Sequence, residues 1–315
     1  MPIVPADLTY AREVANLFAH GKNSYGIQHP VEPSSLISSQ TSVIGLENGK
    51  VWGFLSIDYN DIRLASSEQA AQSVVMDPIC RRIYLTHVAL ARGRSPYEDV
   101  AELLSGAAAQ ILPNQSQLKP TSNKMNSLLI WYGDQRWLIA PLEKAGLTIT
   151  ERIEFFVLAR LQRRTLPPIN FPKPDIRLRL AQQDDLDRLA QIDASVFTPI
   201  WHMALEQLKE VWTTHRIFVA EVDEELAGYS AIAFTADHEQ AHLARLAVDQ
   251  RFQGMGLGRY LLFDVLYSAQ RQGAMAITLN TQTDNLPARQ LYRSVGFRRT
   301  GNILPVMTQW RSSDG

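Results

Sequence analysis

A single cysteine, Cys80, stands in a chain of 315 residues, which excludes an intrachain disulfide and any metal site built from several thiolates. Net charge is equally scarce. The 31 Lys+Arg nearly balance the 32 Asp+Glu, so the chain projects no overall field toward nucleic acid or anionic lipid, and neither is expected as a partner. No run of 18 apolar residues occurs, and Met1 to Asp7 lack the basic patch followed by an apolar stretch that marks a signal peptide. The expectation is a cytoplasmic protein that neither enters a membrane nor is secreted through a signal peptide. What is plentiful is ordinary: 45% of the residues are hydrophobic and 20% charged, as in soluble globular proteins.

At roughly 100–200 residues per domain the length points to two domains. The clearest punctuation lies between Arg163 and Pro174, where Pro167, Pro168, Pro172 and Pro174 can continue neither a helix nor a central strand. This predicts a first domain over 1–164, a Pro-rich linker over 165–175 and a second domain over 176–315. After the prolines, Ile176 to Leu180 alternates as a half-buried strand does, and Asp184 or Asp185 can cap a helix carrying Leu186, Leu189, Ala190 and Ile192 on one face. A helix over Met203 to Trp212 follows, then a hairpin of Arg216 to Val222 and Leu226 to Phe234 about an acidic turn. A strand His242 to Val248 then runs through a glycine-rich turn into a helix Arg259 to Gln272. The chain closes with a strand Met275 to Asn280, a helix Pro287 to Val295 and a strand near Ile303 to Trp310.

The turn reads Gln253-Gly254-Met255-Gly256-Leu257-Gly258-Arg259. Between a strand and a helix, its successive N–H groups can face a phosphate with the helix dipole behind them. The spacing fits neither the dinucleotide fingerprint nor the ATP loop. Three places after Gly256 stands Arg259, and no Gly-Lys-Ser/Thr ending is present. Alone, the glycines are also compatible with a plain tight turn.

They are not alone. Leu243-Ala244-Arg245-Leu246-Ala247-Val248-Asp249 followed by Gln253-x-x-Gly256-x-Gly258 resembles the acetyl-CoA pyrophosphate loop of the GNAT acyltransferase superfamily. Further on, Asn285-Leu286-Pro287-Ala288-Arg289-Gln290-Leu291-Tyr292-Arg293-Ser294-Val295-Gly296-Phe297 resembles its second signature. The resemblance implies an α+β fold of two tandem GNAT-like domains, each a mixed, mostly antiparallel sheet flanked by helices. It also implies transfer of an acetyl group from acetyl-CoA, the acyl donor, to an amine by direct attack, with no metal.

Acyl transfer needs a pyrophosphate anchor, polarisation of the thioester carbonyl, a base for the amine and an acid for the leaving thiolate. By resemblance, the N–H groups of Met255, Gly256, Leu257, Gly258 and Arg259 hold the pyrophosphate, with Gln253 and Gly254 in the same loop. Leu246, Ala247 and Val248 bind the pantetheine arm and the carbonyl. Tyr292 protonates the thiolate, and Asn285 is a cofactor contact as well as a helix cap. His242 is the first candidate for the base: it falls where GNAT histone acetyltransferases carry a glutamate, and simple alternation puts it on one strand face with Ala244, Leu246 and Val248. Glu221, Asp237, Glu239 and a water chain are the alternatives. Phe197, Trp201, His202 and Trp212 fall in the helical region that borders the acceptor cleft of this fold, where aromatic faces can hold an amine. The acceptor is expected to be a small-molecule or peptide amine, and neither its identity nor the oligomeric state is legible.

The first half repeats the second. Val43 to Phe54 runs in step with Phe218 to Tyr229, Leu85 to Leu90 with Leu243 to Val248, and Ala140 to Leu147 with Gln290 to Phe297. Within that overlay Ser95, Glu98 and Val100 replace Gln253, Gly256 and Gly258, Leu142 replaces Tyr292 and Gln135 replaces Asn285. A carboxylate at the phosphate position and a missing acid predict a catalytically silent first domain. The layout resembles that of tandem GNAT enzymes. The competing reading is a non-enzymatic acyl-CoA-binding or regulatory protein, for which the thiolate acid Tyr292 would be superfluous.

Overall fold

A computed structural model describes residues 1–21, 23–26, 33–38, 41–63, 79–110, 126–169 and 176–311. The elements in chain order are β1 (Ile3–Pro5), α1 (Ala11–His20), β2 (Asn23–Gly26), α2 (Pro33–Ser38), β3 (Ser42–Glu47), β4 (Lys50–Arg63), β5 (Ile79–Leu90), α3 (Pro96–Gln110), β6 (Asn126–Tyr132), α4 (Arg136–Lys144) and β7 (Thr148–Ala159). There follow β8 (Ile176–Leu180), α5 (Leu186–Val196), α6 (Leu205–Thr214), β9 (Arg216–Val222), β10 (Glu225–Phe234), β11 (Gln240–Val248), α7 (Leu257–Arg271), β12 (Ala276–Gln282), α8 (Leu286–Val295) and β13 (Arg298–Arg311). Every strand and helix expected after residue 175 is present, with ends moved by a few residues. The expected linker lies outside the described residues over 170–175. None of the described helices is long and apolar enough to cross a membrane.

Among the described residues, contacts group the chain into two compact units, one drawn from Met1–Asp61, Pro78–Glu151 and Leu304–Gly315, the other from Ile62–Asp77 and Arg152–Ile303. This grouping differs from a division at the prolines. The end of β13 pairs with β6, Val306 opposite Tyr132 through Arg311 opposite Ser127, and so completes the first unit's sheet. Residues 153–159 of β7 pair with β12 and complete the second unit's. The physical reason is that strand pairing is decided by free edges and register, not by adjacency in the chain.

In the first unit the sheet order is β1-β3-β4-β5-β6-β13, with β2 also on β5. Only β5 and β6 are parallel among its described pairs. Leu85, Val88 and Trp131 pack with Val100, Leu103 and Leu142 of α3 and α4, and on the opposite face Ile44, Phe54 and Ala89 meet Val14 and Leu17 of α1. The second unit has the order β7-β12-β11-β10-β9-β8, again with one parallel pair, β11 and β12. Leu243, Ile277 and Leu279 pack on Leu262, Val265 and Leu266 of α7, whereas Tyr229, Ala231 and Ala247 pack on Leu189, Ile192 and Leu208 of α5 and α6.

The repeat extends to register. Ile3 lies opposite Gly45 in one unit as Leu178 lies opposite Ala220 in the other. The hairpins turn through Asn48-Gly49 and Asp223-Glu224, all four at positive φ, as a tight two-residue turn between twisted strands requires. Each hairpin then carries one extra residue at the same place, Trp52 before Gly53 and Ala227 before Gly228.

Candidate active site

The second unit's two parallel strands pair only from Gln240 with Ala276 to Leu243 with Leu279. Beyond that point they part. Arg245 to Val248 stay bonded to Ala231 to Gly228 of β10 on one edge, and the other edge opens onto a cavity of about 110 Å³. Its walls are Leu243 to Leu246 of β11, Asn280 to Gln282 of β12, Asn285, Ala288 and Tyr292 of α8 and its cap, Ile153 of β7, and Phe197 and Trp201. The opening thus passes through the sheet, with the α8 side chains on one side and the rings after α5 on the other.

Where the strands part, β11 is bulged: Arg245 pairs with Ala231 but Leu243 with Ile232, leaving Ala244 extra. A bulge switches the faces on which later residues appear. Leu243 and Leu246, three apart, therefore both face α7 and α8, and Arg245 and Ala247 face α5 and α6. This corrects the alternation read from sequence. His242 lies on the α5–α6 face, opposite to Leu246 and Val248, with Nδ1 2.9 Å from Thr278 Oγ1. It is not part of the cavity wall. Burial, with His215 nearby, holds its imidazole below the ordinary value, so the ring is neutral at pH 7.

The glycine loop is exposed at Gln253, Gly254 and Gly256. Gly254 and Gly256 have φ of 81° and 82°, a conformation that costs an L side chain roughly 1–2 kcal/mol. The N–H groups of residues 254 to 258 find no acceptor among the described residues, whereas Arg259 N–H bonds Gly256 O at 3.0 Å. The nest of free donors is therefore 254–258, one residue earlier than expected. Gln253 stays at the turn by donating Nε2 to Val248 O at 3.1 Å. Gly258 acts through packing: a Cβ there would point at Leu291, Leu246 and Val248, 3.6 to 3.9 Å away, along the α7–β11 seam. Arg259 lies over the Phe263 ring and donates to Ser294 Oγ, so its cation stands at the exposed mouth of the loop.

Asn285 caps α8, its Oδ1 accepting from Ala288 N–H at 3.2 Å, and also lines the cavity. Tyr292 is 6% exposed, between the rings of Phe156 and Phe297. Burial pushes its phenol up to about 12, and its hydroxyl has no hydrogen-bond partner among the described residues. Of the alternative bases, Glu221 is paired with Arg179, and Asp237 and Glu239 are exposed in the β10–β11 turn; none lines the cavity. Of the aromatic candidates, Phe197 and Trp201 line it and His202 and Trp212 do not. Sequence reasoning missed Ile153, which arrives from β7, and the polar run Asn280-Thr281-Gln282.

The corresponding place in the first unit is filled. β5 and β6 pair from Cys80 with Asn126 to Tyr84 with Ile130, and the edge beyond is taken by β2, Asn23 opposite Leu90 through Gly26 opposite His87. Tyr25 inserts beside Trp131 and donates to Tyr132 O. Where the second unit has its glycine loop, the first already has the start of α3: Glu98, in the helix's first turn, pairs with Lys144, and Val100 is fully buried.

Residues 186–297 match the model of the acetyltransferase (GNAT) family. An N-alpha-acetyltransferase RimI of Mycobacterium tuberculosis is 34% identical over 122 residues, 37% of this chain and 75% of that protein. An uncharacterised protein of Mycobacterium leprae is 34% identical over 148 residues, 45% of this chain, and the match spans only 40% of that relative's length. Among solved structures, a tandem GNAT protein from the clavulanic acid biosynthesis pathway superposes with a TM-score of 0.56 over 99% of this chain and 98% of its own, at 13% identity, a likeness of fold.

Proposed function

Because the chain belongs to the acetyltransferase (GNAT) family, we propose that its second unit transfers the acetyl group of acetyl-CoA to an amine by direct attack, and that its first unit is catalytically silent. The observation that carries this reading is the parting of β11 from β12 beside five unbonded N–H groups. An open strand edge offers backbone partners to an amide-bearing arm, and the nest at a helix N-terminus suits a pyrophosphate.

The residues then divide the work. Residues 254–258 and Arg259 hold the diphosphate, and Leu246 to Val248 bond the pantetheine amides and fix the thioester across the gap. Phe197 and Trp201 receive the amine from the other face. The amine nitrogen forms a bond to the carbonyl carbon, the carbon–sulfur bond breaks, and the sulfur departs toward Tyr292. With a phenol near 12, Tyr292 keeps its proton throughout the neutral range and serves as a donor to the leaving thiolate. His242, neutral but outside the cavity wall, accepts the amine proton through water. A peptide or small-molecule amine suits the aromatic mouth.

The first unit lacks each of these provisions, having β2 on the open edge, Glu98 in the first turn of α3 in place of Gly256, and Leu142 in place of Tyr292. A calorimetric titration of the whole chain with acetyl-CoA tests both halves of the proposal. One site per chain is expected, lost or weakened more than tenfold in Gly256→Glu and much less affected in Gly256→Ala, which has the same backbone strain without the charge. Two sites would overturn the silent first unit, and none would leave the acyl-transfer reading without its donor.

A further inference from the structure

Asp193 has no exposed surface. Its Oδ1 accepts from Met203 N–H at 2.5 Å and Arg245 Nη2 at 2.8 Å, and its Oδ2 accepts from Arg245 Nε at 2.8 Å and from the Tyr229 hydroxyl. Arg245 also donates to Trp201 O and lies 3.7 Å from the Phe197 ring centroid. One buried carboxylate and one guanidinium thus hold three points of the segment 197–203. Two of its residues, Phe197 and Trp201, are the cavity's α5-side wall.

A buried ion pair is poor evidence of a stability requirement, because apolar groups of similar volume usually serve as well. In the first unit, rings stand in place of the ion pair. The matching registers of the two repeats put Phe18, Phe54 and His87 where the second unit has Asp193, Tyr229 and Arg245. These three also meet, with ring centroids 5.8 Å apart for Phe18 and Phe54 and 6.2 Å for Phe18 and His87. The same junction of first helix, hairpin strand and the strand that follows it is therefore built once from rings and once around an ion pair. The charged version occurs in the unit with the open cleft.

We propose that Asp193, Tyr229 and Arg245 are positioning residues that clamp segment 197–203 as the acceptor-side wall of the cleft. The inference rests on reading that cleft as the acyl-transfer site. With both oxygens of Asp193 engaged, the clamp presents rings rather than a carboxylate to the acceptor. It touches neither the glycine loop nor Tyr292, so its loss should separate acceptor binding from donor binding.

The test replaces the clamp with the first unit's own residues, in the triple variant Asp193→Phe, Tyr229→Phe, Arg245→His, alongside Arg245→Lys, which keeps the charge but loses the planar fork. In the full-length chain, hydrogen exchange of amides 197–203 should accelerate at least tenfold in the triple variant and less in Arg245→Lys. Exchange in β9 and β10 and the acetyl-CoA dissociation constant should change by less than threefold. With short peptides bearing a free N-terminal amine as acceptors, the acceptor KM should rise while the acetyl-CoA KM holds. Unchanged exchange in 197–203 would overturn the clamp, and so would acceleration spread evenly over the unit, which would make the trio a stability element. Failure of the wild-type chain to bind acetyl-CoA would instead overturn the acyl-transfer reading and would leave the exchange result standing by itself.

Discussion

Both units part a parallel strand pair beyond a short paired stretch, but one leaves the gap as a cleft and the other closes it with its own chain. In the first unit the backbone of His87 to Leu90 is bonded by Asn23 to Gly26, and in the second the equivalent edge begins at Arg245 and Leu246, which border the cavity. Backbone donors and acceptors removed from water must be satisfied by something. A gap in a sheet therefore has two stable outcomes, a filler strand or a place where solvent and ligand reach the backbone. The comparison shows that one repeat can close a gap its counterpart leaves open without losing its fold, and that the difference is legible in where hydrogen bonds go as much as in which side chains change.

The largest effect on this comparison should come from Tyr25→Ala. Tyr25 is buried in the first unit's core beside Trp131, and truncating a buried aromatic ring costs about 3–5 kcal/mol. Denaturant unfolding should show that loss, yet the number of acetyl-CoA sites should stay at one, because Glu98 and Leu142 remain. A second site appearing in calorimetry would mean that the filler strand alone keeps the first unit silent.

Next in size is Tyr292→Phe, which copies neither unit but removes the one hydroxyl that the first unit's Leu142 lacks. Acetyl-CoA affinity should hold within about threefold while kcat falls by about a hundredfold, the usual scale of a positioned proton donor. With the phenol near 12, the wild-type rate should show no alkaline fall between pH 7 and 10 from loss of this proton, since the group that must stay protonated titrates well above that window. A fall centred near pH 9 that disappears in the variant would show the phenol to be far more acidic than its burial dictates.

How much of this was readable from sequence depends on the kind of signal. The second unit's elements were legible because apolar spacing, the caps Asn285 and Gly296 and the Asp223-Glu224 turn all act within a few residues. The glycine turn before α7 and the place of Tyr292 on α8 were legible as structure because their spacing is a property of one strand–turn–helix and one helix. Three features were not. The bulge at Ala244 inserts no unusual residue, so strict alternation put His242 on the wrong face. The exchange of strand ends, which brings Ile153 to the cavity, depends on edges that sequence order does not reveal. Finally, β2 is a four-residue strand without a distinctive pattern, and its filling of the first unit's gap is a tertiary fact.

The smallest effect, and one that sharpens the comparison, is expected for His242→Ala. Its counterpart in the first unit is Tyr84, paired with Ile130 as His242 is with Thr278, so the position tolerates a different ring and the variant should fold. Because the imidazole lies off the cavity wall and, in the proposed mechanism, would act through water, kcat/KM at pH 7.5 should fall by less than tenfold. The informative quantity is the acid limb. A base must be unprotonated to work, so activity should decline as pH falls through the His242 pKa, which burial holds below the ordinary imidazole value. Replacing the imidazole should remove that limb and leave only the one set by the acceptor amine's own protonation, measured with two amines of different basicity. If the limb stays where it was with both amines, the proton leaves by solvent alone and His242 belongs to the sheet rather than to the reaction.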